Sequence, residues 1–339
     1  MKKLLNNKYN ILIPILILNI ISIVYLSNTP YITKHIIYLS LSYISLIVIS
    51  KLNIHFIFKY TPLLYITSII LLTLVLFIGR EINGAKAWIY IAGISIQPSE
   101  LTKLTLTLYL SYLTIKNKPT LYLIILTLIP SILTFLEPDT GAIIFFIIIL
   151  LSSLKFKNLN KKVIILFISI ISIFLILNIS LYFTNKDILI NIYGTKLFYR
   201  IDRLISFKEQ NNIQSINSLI SIGSKKLLYI PENHNDFIFA AIISKYHITF
   251  PIIIISFLSI IIYYIKHTSN KKNTSNIINF IILNMLIFQI FYNILMNLSL
   301  VPIIGIPLPF ISYGGSYLIT LYTLIGISIN LNTNNKKVV

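Results

Sequence analysis

Apolar runs long enough to cross a lipid bilayer recur along the whole chain. A transmembrane helix needs about 20 consecutive apolar residues, because the hydrocarbon core is about 30 Å thick. We predict ten spans, of which 141–154 is short and 237–265 is long enough to tilt or kink. The other eight are residues 9–27, 36–50, 61–79, 99–115, 119–136, 163–183, 277–299 and 314–331. The predicted fold class is therefore all-α, a polytopic membrane protein with about ten transmembrane helices.

Composition agrees with a single transmembrane domain over residues 1–339. The chain is 56% hydrophobic and only 11% charged, whereas soluble domains carry about 25% charged residues. It has no cysteine, which excludes disulfides and thiolate chemistry. The net charge of +19 does not indicate nucleic-acid binding, because the placement of the basic residues follows the membrane spans.

The charges predict how the chain is oriented. Lysines concentrate in both termini and in every second loop, and those segments contain no acidic residue: 1–8, 51–59, 116–118, 155–162, 266–272 and 336–339. An excess of Lys and Arg marks the cytoplasmic side. We therefore expect a multi-pass membrane protein with both termini on the cytoplasmic side. Residues 185–236 then form one large extracytoplasmic loop.

A first polar cluster lies at residues 79–103, GREINGAKAWIYIAGISIQPSELTK. Pro98 and Glu100 suit the first turn of a helix. Glu100 and Lys103 are spaced i, i+3 and share a helix face. They either form a structural ion pair in a capped helix or line a polar cavity, since ionisable residues inside membranes face an interior. The two interpretations are compatible.

A second cluster is FLEPDTGAII at residues 135–144. Glu137 and Asp139 flank a proline in a predicted outer turn. Two carboxylates so close can bind a cation or perform acid–base chemistry. A solvated turn that caps the next helix has the same spacing.

The third cluster is the outer loop itself. Arg200 and Arg203 precede Glu232, His234 and Asp236, which stand just before an apolar run. Arginine presents a bidentate fork to phosphate, so the loop suits an anionic substrate. A loop lying on lipid headgroups would have a similar composition. No second histidine supports a metal site.

The fourth cluster, NLSLVPIIGIPLPFISYGGSYL at residues 297–318, carries prolines and glycines but no charge. Irregular backbone at membrane depth is tolerated only where it is buried in protein or lines a cavity. The cluster is either a rigid outer connection or a packed element that shapes a cavity mouth.

The four clusters, in this order, resemble the SEDS family, the RodA and FtsW proteins of bacterial elongation and division. NGAKAWI…IQPSELTK is similar to the family's NGAxRWI…QPSExxK, and EPDTG to its QPDxG. IPENHNDFIFA resembles LPExHTDFIFA, and GIPLPFISYGGS matches the signature near the C-terminus. The resemblance covers roughly residues 75–330. The short chain and the GIPLPF form favour the RodA branch.

The resemblance implies a peptidoglycan glycosyltransferase that polymerises lipid II on the outer face of the bacterial cytoplasmic membrane during cell elongation. By this likeness Asp236 is the catalytic aspartate, and Glu100 and Lys103 are a polar pair of the central cavity. The candidates for substrate binding are this pair together with Arg200, Arg203, Glu232 and His234.

The implied partners are lipid II, membrane lipids and a class B penicillin-binding protein, with no nucleic acid. A divalent cation, Mg²⁺ or Mn²⁺, would be the only cofactor, and its ligands stay open. The alternative is a flippase for lipid-linked precursors, or a non-catalytic scaffold of the cell-wall synthesis complex.

The chain also departs from the family's pattern. The segment IGSKKLLYIPEN is much shorter than the glycine-rich stretch usual there. Ser244 and Lys245 replace a Glu-Glu pair, Asn235 a threonine, Ala87 an arginine and Glu137 a glutamine.

Overall fold

A computed structural model describes most of the chain. The described residues are 10–82, 85–91, 94–157, 165, 169, 176–191, 195, 198, 213–224, 226, 228–246, 249–269 and 275–333.

Helices dominate the described residues. Their bounds are α1 Leu12–Leu26, α2 Ile32–Lys51, α3 Ile54–Ile78, α4 Pro98–Ile115, α5 Thr120–Leu136, α6 Thr140–Leu154, α7 Ile213–Ser224, α8 Ile238–Tyr246, α9 Thr249–Ser269, α10 Ser275–Asn297 and α11 Gly315–Thr333. Residues 176–184 and 186–191 are helical as well. A helix satisfies its own backbone hydrogen bonds, which is why apolar runs in lipid fold this way.

The predicted helical, polytopic fold is confirmed. The apolar run 237–265 contains α8, which ends at Tyr246, and α9, which begins at Thr249; residues 247–248 between them lie outside the described residues. By length and composition, four described helices can cross a membrane: α2, α3, residues Thr249–His267 of α9 and residues Ile277–Asn297 of α10. The helices α1, α5, α6 and α11 are apolar but shorter. The predicted span 163–183 lies largely outside the described residues.

A small antiparallel sheet, which the sequence analysis did not predict, joins α3 to α4. Its strands are β1 Arg80–Ile82, β2 Ala85–Ile91 and β3 Ile94–Ile96, in that order. Arg80 pairs with Trp88, and Ile89 pairs with Ile96. Lys86 Nζ donates to the carbonyls of Leu76 at 2.8 Å and Phe77 at 2.9 Å. The ammonium thus satisfies carbonyls at the C-terminal end of α3, where a cation is favoured.

The packing of α2 against α11 depends on one small residue. A Cβ added at Gly326 of α11 would lie 2.8 Å from the Leu46 carbonyl oxygen of α2. Small residues let membrane helices approach this closely. Asn330 of α11 then donates to the carbonyls of Ile49 and Leu52, both at 2.7 Å. The carboxyl-terminal helix is therefore locked to α2 at its predicted cytoplasmic end.

The orientation is testable because the chain is free of cysteine. Single cysteines at Asn28 and Asp187, both exposed, should react with a membrane-impermeant maleimide in spheroplasts. A cysteine at the exposed Lys118 should react only after the membrane is permeabilised. Labelling of position 118 but not 28 and 187 in intact spheroplasts would reverse the orientation.

Candidate active site

A tight turn at residues 231–237, called the Asp236 turn, leads directly into α8. Glu232 has a φ of 59°, a left-handed conformation that non-glycine residues seldom adopt. Its carbonyl accepts from the backbone N–H of Asn235 at 3.0 Å and of Phe237 at 3.2 Å. Phe237 and Ile238, the next residues, are fully buried. The polar turn is therefore fixed at the end of a buried helix.

Two asparagines of α10 hold the backbone of this turn. The Nδ2 atoms of Asn293 and Asn297 donate to the Asp236 carbonyl at 2.9 and 3.0 Å. Asn293 also donates to the Ile306 carbonyl at 2.7 Å, and Asn297 Oδ1 accepts from the Ala240 N–H at 3.0 Å. Both asparagines are completely buried, so their hydrogen bonds form in a medium that strengthens them.

The Asp236 side chain is placed as a reactive carboxyl group would be. Its Oδ1 is buried and has no hydrogen-bond partner among the described residues. Burial, and next the nearby Glu232 carboxylate, raise the pKa of Asp236 to about 7. A carboxyl group with a pKa near the working pH is suited to general-base catalysis.

Glycine is required beside this carboxylate. Gly305 has a φ of 70°, and a Cβ added there would lie 3.4 Å from Asp236 Oδ2. A side chain at this position would combine backbone strain with crowding of the carboxylate.

The segment 301–314 closes over the Asp236 turn. Ser312 Oγ donates to the Asn235 carbonyl at 2.7 Å, and Tyr313 N–H donates to the His234 carbonyl at 3.0 Å. Leu308 N–H in turn donates to Ser312 Oγ at 2.7 Å. The irregular backbone is packed in protein, with Phe310 fully buried, as required at membrane depth. Of the two interpretations of this cluster, these contacts favour the packed element.

His234 lies on an aromatic surface at the edge of the turn. Its ring stacks on Tyr31, with centroids 3.9 Å apart, and meets Tyr313 edge-on at 5.6 Å. Its Nε2 lies 3.6 Å from Glu232 Oε2. Burial lowers the pKa of His234, although Glu232 opposes this shift. Stacking and burial thus favour the neutral ring.

A second polar cluster surrounds Asp139 at the start of α6. Its Oδ2 accepts from Gln97 Nε2 at 2.9 Å and from Ser99 Oγ at 2.8 Å. Its Oδ1 accepts from Ala142 N–H at 3.2 Å, which caps α6. Asp139 therefore caps α6, as one interpretation of the sequence held, and it also joins α4 to α6. The turn is not solvated as that interpretation expected, because Glu137 and Pro138 are buried.

Glu100 and Lys103 form the expected pair on α4. Lys103 Nζ lies 2.6 Å from Glu100 Oε1, and both side chains are buried. The same ammonium lies 4.4 Å from the centre of the Phe145 ring, which adds a cation–π contact. A buried charge needs such compensation, because desolvation is costly.

Glu137 is placed differently from Asp139. Its side chain is 0% exposed, and neither carboxyl oxygen has a partner among the described residues. Burial, and next the Asp139 charge, raise the pKa of Glu137 to about 9. The side chain is therefore neutral at pH 7 and resembles glutamine in charge and shape.

The Asp139 cluster and the Asp236 turn contact opposite sides of the segment 301–314. A Cβ added at Gly141, beside Asp139, would lie 3.2 Å from the Ile304 carbonyl oxygen. The next residue, Gly305, faces Asp236. The segment 301–314 therefore separates the Asp139 cluster from the Asp236 turn.

Of the other predicted site residues, two are described by the structure and two are not. Glu232 and His234 accompany Asp236 in one turn, whereas Arg200 and Arg203 lie outside the described residues. In the part of the chain that the structure describes, no three His, Asp or Glu side chains form a group able to hold a metal ion.

Sequence reasoning missed the residues that position the site. Tyr31 and Gly305 gave no signal, because their partners are far away in the chain. Asn293 and Asn297 did carry one: two amides spaced i, i+4 in an apolar helix point the same way and need a buried partner.

Comparisons with known proteins agree with this geometry. A family model for the FtsW, RodA and SpoVE cell cycle proteins matches residues 9–337. The chain belongs to this family. It is the same SEDS group that the four motifs indicated.

Two curated relatives carry the name probable peptidoglycan glycosyltransferase FtsW. One, from Wigglesworthia glossinidia brevipalpis, is 31% identical over 329 residues, covering 87% of this chain and 82% of the relative. The other, from Buchnera aphidicola subsp. Baizongia pistaciae, is 35% identical over 331 residues, covering 88% and 83%. The preference for the RodA branch stays a prediction beside these FtsW names.

Two solved structures share the fold. A chain of a peptidoglycan synthase complex aligns with a TM-score of 0.79 at 20% identity, covering 96% of this chain and 97% of that one. The rod-shape-determining protein RodA of Thermus thermophilus aligns with a TM-score of 0.70 at 20% identity, covering 96% of each chain.

The buried pair predicts a coupling between Glu100 and Lys103. Each single substitution, Glu100→Gln or Lys103→Met, leaves one buried charge unpaired, which typically costs about 3–5 kcal/mol. The double variant should lose less stability than the sum of the two single losses. Thermal unfolding of the four purified proteins in one detergent measures this, and additive losses would show that the pair does not interact.

Glu137→Gln should stabilise the protein in a pH-dependent way. The pKa of Glu137 rises from 4.5 unfolded to about 9 folded, so the folded state retains a proton that the unfolded state releases. The wild type therefore loses stability as the pH rises from about 4.5 to 9. At pH 8 the variant should gain on the order of 1–3 kcal/mol, and much less at pH 5.

Thermal unfolding at both pH values tests this, with Asp187→Asn as the control because Asp187 is an exposed acid. An equal gain at pH 5 and pH 8 would contradict the buried, protonated state of Glu137.

Proposed function

We propose that this chain is a peptidoglycan glycosyltransferase that polymerises lipid II on the outer face of the bacterial cytoplasmic membrane. The observation that carries the proposal is the Asp236 carboxyl group, whose buried Oδ1 has no partner among the described residues. It stands at the membrane end of α8. Membership of the FtsW, RodA and SpoVE family and the names of the relatives support the same activity.

The geometry suits the substrate. Lipid II carries its sugars on a lipid pyrophosphate, and the lipid tail keeps the pyrophosphate at the level of the headgroups. A base for this reaction must therefore lie at the membrane edge. In the proposed step, Asp236 accepts the proton of the acceptor's C4 hydroxyl while that oxygen attacks the anomeric carbon of the donor. The bond from the anomeric carbon to the pyrophosphate oxygen breaks, and lipid pyrophosphate leaves.

The other site residues bind or position the substrate in this proposal. Asn293 and Asn297 fix the backbone of Asp236, and Gly305 leaves space beside the carboxylate. His234 and Tyr31 offer an aromatic surface for a sugar ring. Arg200 and Arg203 would stabilise the charge on the leaving pyrophosphate.

A divalent cation, Mg²⁺ or Mn²⁺, fits the residues present. Asp236 has a buried oxygen without a partner among the described residues. The Glu232 carboxylate is near enough for its charge to raise the pKa of Asp236. Magnesium commonly binds through one or two carboxylates and the phosphates of a substrate. When bound, such an ion would neutralise charge on the pyrophosphate.

The placement in the cell is part of the proposal. Both termini are cytoplasmic, and the Asp236 turn faces outward. A class B penicillin-binding protein that cross-links the new strands is the proposed partner. The likeness to a chain of a peptidoglycan synthase complex supports a partner of this kind.

A flippase is the second candidate, and the described spans do not favour it. Translocation of a pyrophosphate calls for charged groups through the membrane depth. Within the described helices, the buried carboxyl and ammonium side chains are Glu100 and Lys103, which neutralise each other, and the buried imidazole is that of His35. Lys245 is exposed near the end of α8.

Asp236→Asn should abolish polymerisation while the protein stays folded. Asparagine preserves size but cannot accept the proton, and loss of a general base costs about 10²–10⁴-fold in rate. Glu232→Gln should be milder, and Asp187→Asn, in the same loop but exposed, should be neutral. The assay is glycan synthesis from purified lipid II in detergent, where transport cannot contribute. A wild-type rate for Asp236→Asn would replace the catalytic proposal with the scaffold or flippase alternative.

The pH dependence of this assay separates a base from a cation ligand. The base works when deprotonated, so the wild-type rate should rise with pH through a midpoint near the Asp236 pKa of about 7 and level off about one pH unit above it. If Asp236 only holds a cation, the midpoint should move to lower pH as the metal concentration is raised. A midpoint independent of metal supports the base.

A further inference from the structure

The helix α7, Ile213–Ser224, buries its polar face and exposes its apolar face, which is the reverse of what a helix in water does. Its buried residues are Ser215, Ser218 and Ser221. On the opposite side, Ile213, Ile216, Leu219 and Ile220 are exposed, Ile213 by 67%. Burying such a side chain is worth about 1.5–3 kcal/mol, so this arrangement in water would forgo much of the hydrophobic stabilisation available to the helix.

Two of the three inward serines use their hydroxyls in hydrogen bonds, whereas Ser215 is bonded through its backbone carbonyl and its buried Oγ has no partner among the described residues. Ser218 Oγ donates to the Asn297 carbonyl at 2.6 Å. Ser221 Oγ accepts from Leu228 N–H at 3.0 Å, and the Ser215 carbonyl accepts from Ser299 Oγ at 3.0 Å. The inward face is thus fixed by three contacts, which tie α7 to the end of α10 and to the segment before the Asp236 turn.

Exposed apolar residues also occur near the point where α7 is attached. Ser299 anchors α7, and the next residue, Leu300, is 63% exposed. Phe291 on α10 is exposed as well. Apolar side chains are therefore exposed beside α7 as well as on it.

The polar groups around this face suit a bilayer surface. Residues 213–226 contain no acid, and Lys225 and Lys226 follow α7 directly. Lysines beside an amphipathic helix attract anionic headgroups. Tyr229 is exposed by 82%, and tyrosine is enriched at membrane interfaces.

We infer that α7 lies in the interface of the membrane leaflet next to the Asp236 turn, with its isoleucine face in the acyl chains. The occupant of this apolar face is phospholipid, and Lys226 binds an anionic headgroup. Part of the loop 185–236 is therefore a lipid-bound element that supports Asn297, which holds Asp236. This inference does not rest on the proposed function.

Spin labels test the position of α7 without any activity. Single cysteines replace Ile216 and Ile220 in the full chain, one at a time, and each variant is reconstituted as single copies in nanodiscs of phosphatidylethanolamine and phosphatidylglycerol. Phe291→Cys is the lipid-facing reference and Asp187→Cys the exposed reference outside the helix bundle. Collision rates with oxygen, which enters lipid, and with a nickel chelate, which stays in water, are then compared.

Lipid contact predicts that labels at 216 and 220 lose nickel collisions and keep oxygen collisions, as at 291, while the label at 187 does the reverse. Nickel collisions at 216 and 220 equal to those at 187 would place the face in water and overturn the inference. Loss of both reagents would mean that protein covers the face, which would overturn it too. Thermal unfolding of each labelled variant verifies that it is folded.

Discussion

The site depends on two hydrogen bonds, which Asn293 and Asn297 donate to the Asp236 carbonyl. Two buried amides on consecutive turns of α10 hold one backbone oxygen, and each also holds a second partner. Loss of either amide would leave polar groups unsatisfied in an apolar medium, which costs about 1–3 kcal/mol for each group. The position of the carboxyl group is thereby set by helix packing. The side chain is free to react because the backbone carries the structural role.

Carboxyl groups among the described residues take four roles according to their surroundings. Asp139 is hydrogen-bonded through both oxygens and joins two helices, and Glu100 is neutralised by Lys103. Glu137 is buried without a partner among the described residues, and its pKa of about 9 keeps it protonated. Asp236 also has a buried oxygen without a described partner, but its pKa is raised only to about 7. Environment, rather than residue type, therefore distinguishes the candidate base from the other acids.

Sequence reasoning predicted the features that depend on local pattern. The helical spans follow from apolar run length, and the Glu100–Lys103 pair follows from i, i+3 spacing. The contact of Gly305 with Asp236 was missed, because it depends on how distant segments pack. The role of the loop 185–236, which contains α7, was left open between an anion site and a lipid surface, since its composition alone does not say which residues face inward.

The segment 301–314 contacts both polar groups of the site. Ile304 touches the turn of Asp139 on one side, and Gly305 faces the Asp236 carboxylate on the other. Ile304 and Gly305 are adjacent in the chain, so the surfaces that meet Gly141 and Asp236 belong to one short stretch of backbone. The distance between the Asp139 cluster and the Asp236 carboxylate is therefore set by the thickness of a single packed strand of chain.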